Sequence, residues 1–269
     1  MYWRSGRYAE AERFNGWALR VAEEVGDPKE ADDLYFLKAQ ILHSTGRYAE
    51  SVRLLEEILP RRQRRPANAE TIQVQAALGH SYNLLGHHAE AEPLLRQAFE
   101  LSQDSVGPAI RILTVSNLLY CLVCQGTAEG FLGEAEAALE LGEYTITANL
   151  RLNLALAYSR LGRWDEAARH YRMLAEGAFD PNYSCIAWAK LASIGAERPE
   201  AAIDKAMELY LQAETPAARF IVLQSALSHG SPAQKSWALG ELKRFDPAPL
   251  PWLFRGEYDE LRARFLGSS

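Results

Sequence analysis

Between Gln75 and Phe99 the chain reads QAALGHSYNLLGHHAEAEPLLRQAF. Apolar residues fall at Leu78, Tyr82 and Leu85 and then, past Gly86, at Ala91, Leu94, Leu95 and Ala98. Steps of three and four put each set on one face of a helix. Glycine at 86 ends the first helix, because it accepts the left-handed conformation that other residues resist. The stretch predicts a hairpin of two amphipathic helices, with small residues where the backbones approach.

The same pattern recurs. Gly6-Arg-Tyr-Ala-Glu-Ala-Glu is matched by Gly46-Arg-Tyr-Ala-Glu-Ser-Val and by Gly86-His-His-Ala-Glu-Ala-Glu, and Gly126 continues the interval of 40. Gly162 follows after 36 residues, and weaker hairpins surround Gly195 and Gly230 after 33 and 35. A single hairpin cannot bury its stripe, whereas stacked hairpins can, so the period predicts an all-α solenoid. The fourth unit carries an irregular joint, GTAEGFLGEAE, which predicts a second helix that starts late or bends.

These units resemble tetratricopeptide repeats. The third matches that pattern at Leu78, Gly79, Tyr82, Gly86, Ala91, Leu95 and Ala98. The fifth matches at Leu154, Ala155, Tyr158, Gly162, Trp164, Ala167 and Tyr171. The second matches at Tyr35, Ala39, Leu42, Gly46, Tyr48 and Leu55. The spacing of 40 is similar to the long-repeat members, such as kinesin light chains and the helical domains of bacterial peptide-responsive regulators. The resemblance implies a right-handed superhelix of about seven units over residues 1–245, the first truncated, with a capping segment and helix over 246–269.

It also implies a concave groove lined by the first helix of each hairpin. Counted from the turn glycines, the groove candidates are Gln40 and His43, then Gln73, His80 and Asn83, then Ser116, Asn117 and Tyr120, then Asn149, Asn153 and Arg160, then Asn182. Amide side chains both donate and accept, so a column of them suits an extended peptide backbone. The family's carboxylate clamp has no counterpart here, since Phe36, Ala76, Ser116 and Leu152 stand in its places.

Only five residues precede Gly6, too few for a first helix. The helix over roughly 8–25 is therefore expected to expose an apolar face open to self-association. The chain reads as a portion of something longer, as one with an internal start, or as one opening on a lone capping helix.

The joints are short. Val25-Gly-Asp-Pro28 closes the first unit, and Pro60 to Pro66 reads as a basic loop between the second and third. Asp104 to Pro108 separates the third from the fourth. Asp180 and Thr215, each before a proline, read as N-caps of the sixth and seventh units. Trp252, Leu253 and Phe254 are expected to fold over the last hairpin, ahead of a final helix from Gly256 and a frayed end at 267–269.

The 269 residues carry a net charge of -6, which argues against broad contact with nucleic acid. Three cysteines make no disulfide framework, and neither a signal peptide nor an apolar run of about 20 residues is present. A cytoplasmic protein fits. Cys121 and Cys124 lack further metal ligands nearby in sequence and read as core. His87 and His88 read as a solvated turn, His80 as a groove or surface residue, and Arg61, Arg62, Arg64 and Arg65 as a solvated basic cluster. The Glu10/Glu12, Glu90/Glu92 and Glu134/Glu136 pairs recur in first turns, where they favour the helix dipole. No phosphate loop, nucleophile elbow or zinc-protease motif occurs.

The expectation is thus a non-enzymatic protein-interaction module without cofactor or metal, the sensor or scaffold part of a larger bacterial-type regulator. The alternative is a receptor for a peptide signal held in the Asn-lined groove.

Overall fold

The computed structural model describes residues 8–64, 68–103, 107–177 and 180–267, without the side chains of 144 and 145. Residues 1–7 with Gly6 among them, Arg65 to Ala67, Asp104 to Val106, Ala178, Phe179 and the last two serines lie outside the described residues. Among the described residues the chain forms fourteen α-helices and no strand. It divides into two compact units, Met1–Cys121 and Leu122–Ser269.

The first unit contains α1 (Tyr8–Val25), α2 (Pro28–Ser44), α3 (Tyr48–Gln63), α4 (Ala69–Leu85), α5 (His88–Leu101) and most of α6 (Pro108–Gln125). Asp27 caps α2 by accepting from the Lys29 and Glu30 amides, and Asn68 caps α4 by accepting from the Thr71 amide. Both helices therefore start where a short polar side chain replaces the missing backbone acceptors. Gly86, at φ 88°, closes α4 in the left-handed conformation, and the His87 amide returns to the Tyr82 carbonyl at 3.0 Å. Ala39, Leu55, Ile58, Val74 and Leu78 form the core between the α2–α3 and α4–α5 hairpins. Gly79 sits so close to α5 that an added Cβ would lie 2.7 Å from Leu95 Cγ.

The second unit contains the end of α6, a 3-10 turn at Ala128–Phe131, α7 (Leu132–Leu139), α8 (Tyr144–Arg160), α9 (Trp164–Glu176) and α10 (Pro181–Ser193). It continues through α11 (Pro199–Tyr210), α12 (Pro216–His229), α13 (Pro232–Leu242) and α14 (Trp252–Leu266). The 3-10 turn delays α7, as the irregular joint predicts. Asp180 and Thr215 are the caps expected of them. Phe254 and Tyr258 of α14 pack on Phe220 at 6.1 and 6.0 Å, which seats the last helix on α12. That helix begins at Trp252 rather than Gly256, because Pro251 supplies a preorganised start.

Two sequence expectations change. The basic joint is not a loop through Gln63: α3 runs past Pro60, whose missing amide costs one hydrogen bond near the helix end. Nor is all of its charge solvated, although Arg61 and Arg64 remain exposed. Arg62 is 5% exposed, paired with Asp33 and, at 3.2 Å, with Glu70, while Arg61 meets Asp32 at 3.2 Å and Glu57.

The other change concerns which helices show a clean stripe. α4 buries residues all round, including Thr71, Gln75, Ser81 and Asn83, whereas α5 buries only Ala91, Leu95 and Ala98. The first helix of a hairpin lies between neighbours, and the second faces solvent on one side. One helix among the described residues, α6, is also long and apolar enough to span a bilayer, but 67% of it is buried in the protein, as in a core helix.

Candidate functional site

Within the first unit, three candidates from three successive first helices come together. His43 of α2 and His80 of α4 have ring centroids 5.0 Å apart, and His80 meets the Tyr120 ring of α6 edge-on at 5.6 Å. Tyr48 of α3 closes the near end, edge-on to His43 at 5.5 Å. His43 Nδ1 is hydrogen-bonded to Ser81 Oγ at 3.3 Å. His80 Nδ1 is shielded from solvent and has no hydrogen-bond partner among the described residues.

Burial pushes the His43 imidazole down to about 4. Burial, helped by His43 itself, pushes His80 down to about 3. Both rings are therefore neutral at neutral pH, each with one donor and one acceptor nitrogen.

The other candidates of this unit have internal partners or lie apart from the ring row. Asn83 is 1% exposed and accepts from His88 Nδ1 across the α4–α5 interface. That pair also removes His88 from the solvated turn, while exposed His87 stacks on Tyr82 at 6.1 Å. Asn117, 4% exposed, donates to the Ala76 carbonyl at 3.4 Å and so ties α6 to α4. Ser116 is buried, and Gln40 and Gln73 are half-buried on α2 and α4.

In the second unit, Arg160 is exposed and donates to the Val123 carbonyl at 3.0 Å. Asn182 accepts from the amides of Glu214 and Thr215, both at 2.9 Å, and so fastens the start of α10 to the start of α12. Asn153 is 5% exposed and Asn149 half-buried on α8.

A second polar cluster was not singled out by sequence. Glu136 Oε1 on α7 accepts from Tyr158 Oη of α8 at 2.7 Å and from His170 Nε2 of α9 at 3.1 Å. Arg169 lies 3.4 Å from the same oxygen. The Tyr158 and His170 rings stack at 5.7 Å, and the Arg163 guanidinium covers Tyr158 at 4.7 Å. Burial lowers the His170 pKa, opposed by the Glu136 carboxylate. Burial and then Glu136 raise the Tyr158 phenol to about 12. Tyr158 and Glu136 both lie on repeat positions, yet their partner His170 carries no signal in the repeat pattern. The cluster joins three helices through one carboxylate and has the character of a structural clamp.

Among the described residues no three His, Cys, Asp or Glu side chains gather to hold a metal ion. Cys121, Cys124 and Cys185 form no disulfide among the described residues, and burial raises Cys185 to about 12, far from a reactive thiolate.

Tetratricopeptide repeat models match residues 30–104 and 150–182. Those spans cover the second and third hairpins, and most of α8 through α9 to the start of α10. No curated protein matches the sequence significantly. Among solved structures, the crystal structure of BtubC (BKLC) from P. vanneervenii is similar in fold, with a TM-score of 0.58 and 18% identity. The match covers 76% of this chain and 91% of that one. Identity at that level bears on the fold alone. Together with the stacked hairpins, the matches make this chain an all-α helical repeat protein carrying tetratricopeptide-like repeat motifs.

Proposed function

We propose that the chain is a non-enzymatic protein-interaction module, and that the first unit holds an extended peptide segment of a partner over the row His43, His80 and Tyr120. The observation that carries this reading is the alignment of three rings from three successive repeats, at 5.0 and 5.6 Å. Neutral imidazoles present donors and acceptors to a peptide backbone without demanding charge on the ligand. The row is aromatic, with His43 and His80 tilted by 30° and Tyr120 edge-on and 8% exposed, so apolar or aromatic side chains of the segment gain contact area chiefly against the two imidazoles. Gln40 and Gln73 lie half-buried on the same helices.

That such a module forms the sensor or scaffold part of a larger bacterial-type regulator in the cytoplasm is a further step, supported by the resemblance to regulator helical domains alone. The peptide-signal receptor is the same reading with the ligand specified as a signal.

The test uses an array of short unstructured peptides, probed with the wild-type chain and with His80→Ala. Retained helicity in the variant, with at least a tenfold loss of affinity for the peptides that bind, is expected; tenfold corresponds to about 1.4 kcal/mol. Equal affinity in a folded His80→Ala variant would move the site elsewhere.

A further inference from the structure

α1 carries two stripes. The inner one, Ala11, Asn15, Leu19 and Ala22, is buried, with Asn15 donating to the Leu34 carbonyl of α2 at 2.9 Å. The outer one runs through Trp17, Val21 and Val25, which are 62%, 40% and 75% exposed. Phe14, on the same stripe, is 45% exposed. Steps of three and four keep these side chains in one row. A row of large apolar side chains with a tryptophan at its centre differs from the scattered exposed apolar residues of an ordinary surface.

Of the exposed charges on one flank of the row, Arg20 lies beside its midpoint and would face its own copy, whereas Arg13 and Glu24 lie toward its ends and can pair. Arg13 and Glu24 are exposed, eleven residues apart, and at about 100° per residue they fall on the same flank of the helix. They sit at nearly equal distances either side of the midpoint between Trp17 and Val21. Neither has an ion-pair partner among the described residues, Arg13 lying over the Phe14 ring at 5.1 Å. Two such helices placed antiparallel about a two-fold axis through that midpoint bring Arg13 of each copy against Glu24 of the other. The same operation lays Trp17 of one on Val21 of the other, and Phe14 near Val25. A surface complementary to itself under a two-fold rotation is the signature of an isologous interface.

We infer that α1 is a homodimerisation surface, with a second copy of this chain packed antiparallel on the Trp17, Val21 and Val25 face. A few side chains from each copy fall short of a standard interface, so the dimer is weak and concentration-dependent. Its site is separate from the ring row of α2, α4 and α6, so loss of peptide binding leaves it standing and the reverse holds too.

Sedimentation equilibrium of the chain over about 5 to 500 μM, a range that brackets weak association, tests it. Wild type is expected to pass from monomer to dimer, and Trp17→Glu to stay monomeric with unchanged helicity. Arg13→Glu and Glu24→Arg are each expected to weaken association at least fivefold, because each sets like charges together twice. The double variant Arg13→Glu with Glu24→Arg restores the pairing and returns most of the affinity. A wild-type chain that stays monomeric throughout overturns the proposal and leaves the face to a different occupant. Dimerisation that survives Trp17→Glu, or a double variant as weak as the singles, overturns it as well.

Discussion

His80 in the first unit and His170 in the second are both packed against a tyrosine ring, and both are harder to protonate than a free histidine. Their surroundings differ in one respect. Next to His80 stand a second imidazole and the Tyr120 ring, and burial with His43 sets its low pKa. Next to His170 stands Glu136, which accepts from its Nε2 and pulls its pKa back up against burial. A shielded histidine without a carboxylate is a polar group kept neutral. A buried histidine with one is a fixed hydrogen-bond donor inside the structure. This contrast is why the first cluster is proposed as a contact surface and the second is read as a clamp.

The largest expected effect is in acid. The unfolded chain takes up protons near the ordinary histidine value of 6.5, whereas folded His43 and His80 resist down to about 4 and 3. Their contribution is complete above 6.5 and is lost as pH falls below it, because the unfolded state then binds more protons. The slope approaches about 1.4 kcal/mol per pH unit for each ring. Urea unfolding at pH 7, 6 and 5 should show this loss, and the double variant His43→Ala with His80→Ala should flatten it. An unchanged slope in the double variant would erase the difference between the two histidine settings.

Next in size is His170→Ala. It opens a cavity and removes a donor from Glu136, at a cost of about 3 kcal/mol. His80→Ala, on a more open ring with an unpaired nitrogen, should cost about half that. Chemical denaturation of both variants at pH 7.5 checks the order, and a reversed order would break the comparison.

The turn glycines sharpen it from another side. Gly26, in the first unit, has φ 73° and open space around it, so Gly26→Ala costs about 1 kcal/mol of backbone strain. Gly230, in the second, has φ -76°, so the left-handed explanation fails there. Instead, an added Cβ would lie 2.5 Å from the Ala226 carbonyl oxygen and 3.0 Å from Gln234 Cβ. Gln234 holds the capping box of α13, its Oε1 accepting from the Ser231 amide at 2.8 Å. Gly230→Ala should therefore cost about 2 kcal/mol through crowding and loss of that cap. Thermal melts that give the two variants equal shifts would mean the seventh turn relaxes freely.

The smallest effect is spectroscopic. Glu136→Gln removes the charge that raises Tyr158 and supports His170. The Tyr158 phenol should then titrate below its value of about 12, and His170 should titrate lower still. Proton NMR of the imidazoles and alkaline absorbance of the phenol report the two shifts. A rise in the His170 pKa would contradict the clamp.

Much of this architecture is written in short-range pattern. The period of the turn glycines, the proline-linked caps at Asp180 and Thr215 and the delayed α7 all follow from residues within one turn of where they act. Such features depend on backbone geometry and local hydrogen bonds, which a sequence window contains. The polar residues of the first helices are less legible. Asn83 and Asn117 stand off the main apolar stripe of their helices, a position equally compatible with an open groove. In the structure one meets His88 across a hairpin and the other the Ala76 carbonyl of the preceding repeat. A helix with neighbours on several sides has no single wet face, so the 3.6-residue period stops marking exposure.

Sequence by itself therefore determined that this chain stacks helical hairpins, and where each hairpin turns, because glycine conformation and capping are local. Only the tertiary structure decided which polar side chains are spent inside and which meet across repeats. His43, His80 and Tyr120 stand 37 and 40 residues apart, and Glu136 and His170 stand 34 apart. Packing of successive repeats, with side chains choosing among burial, pairing and solvent, sets those encounters, and no stretch of sequence holds both partners at once.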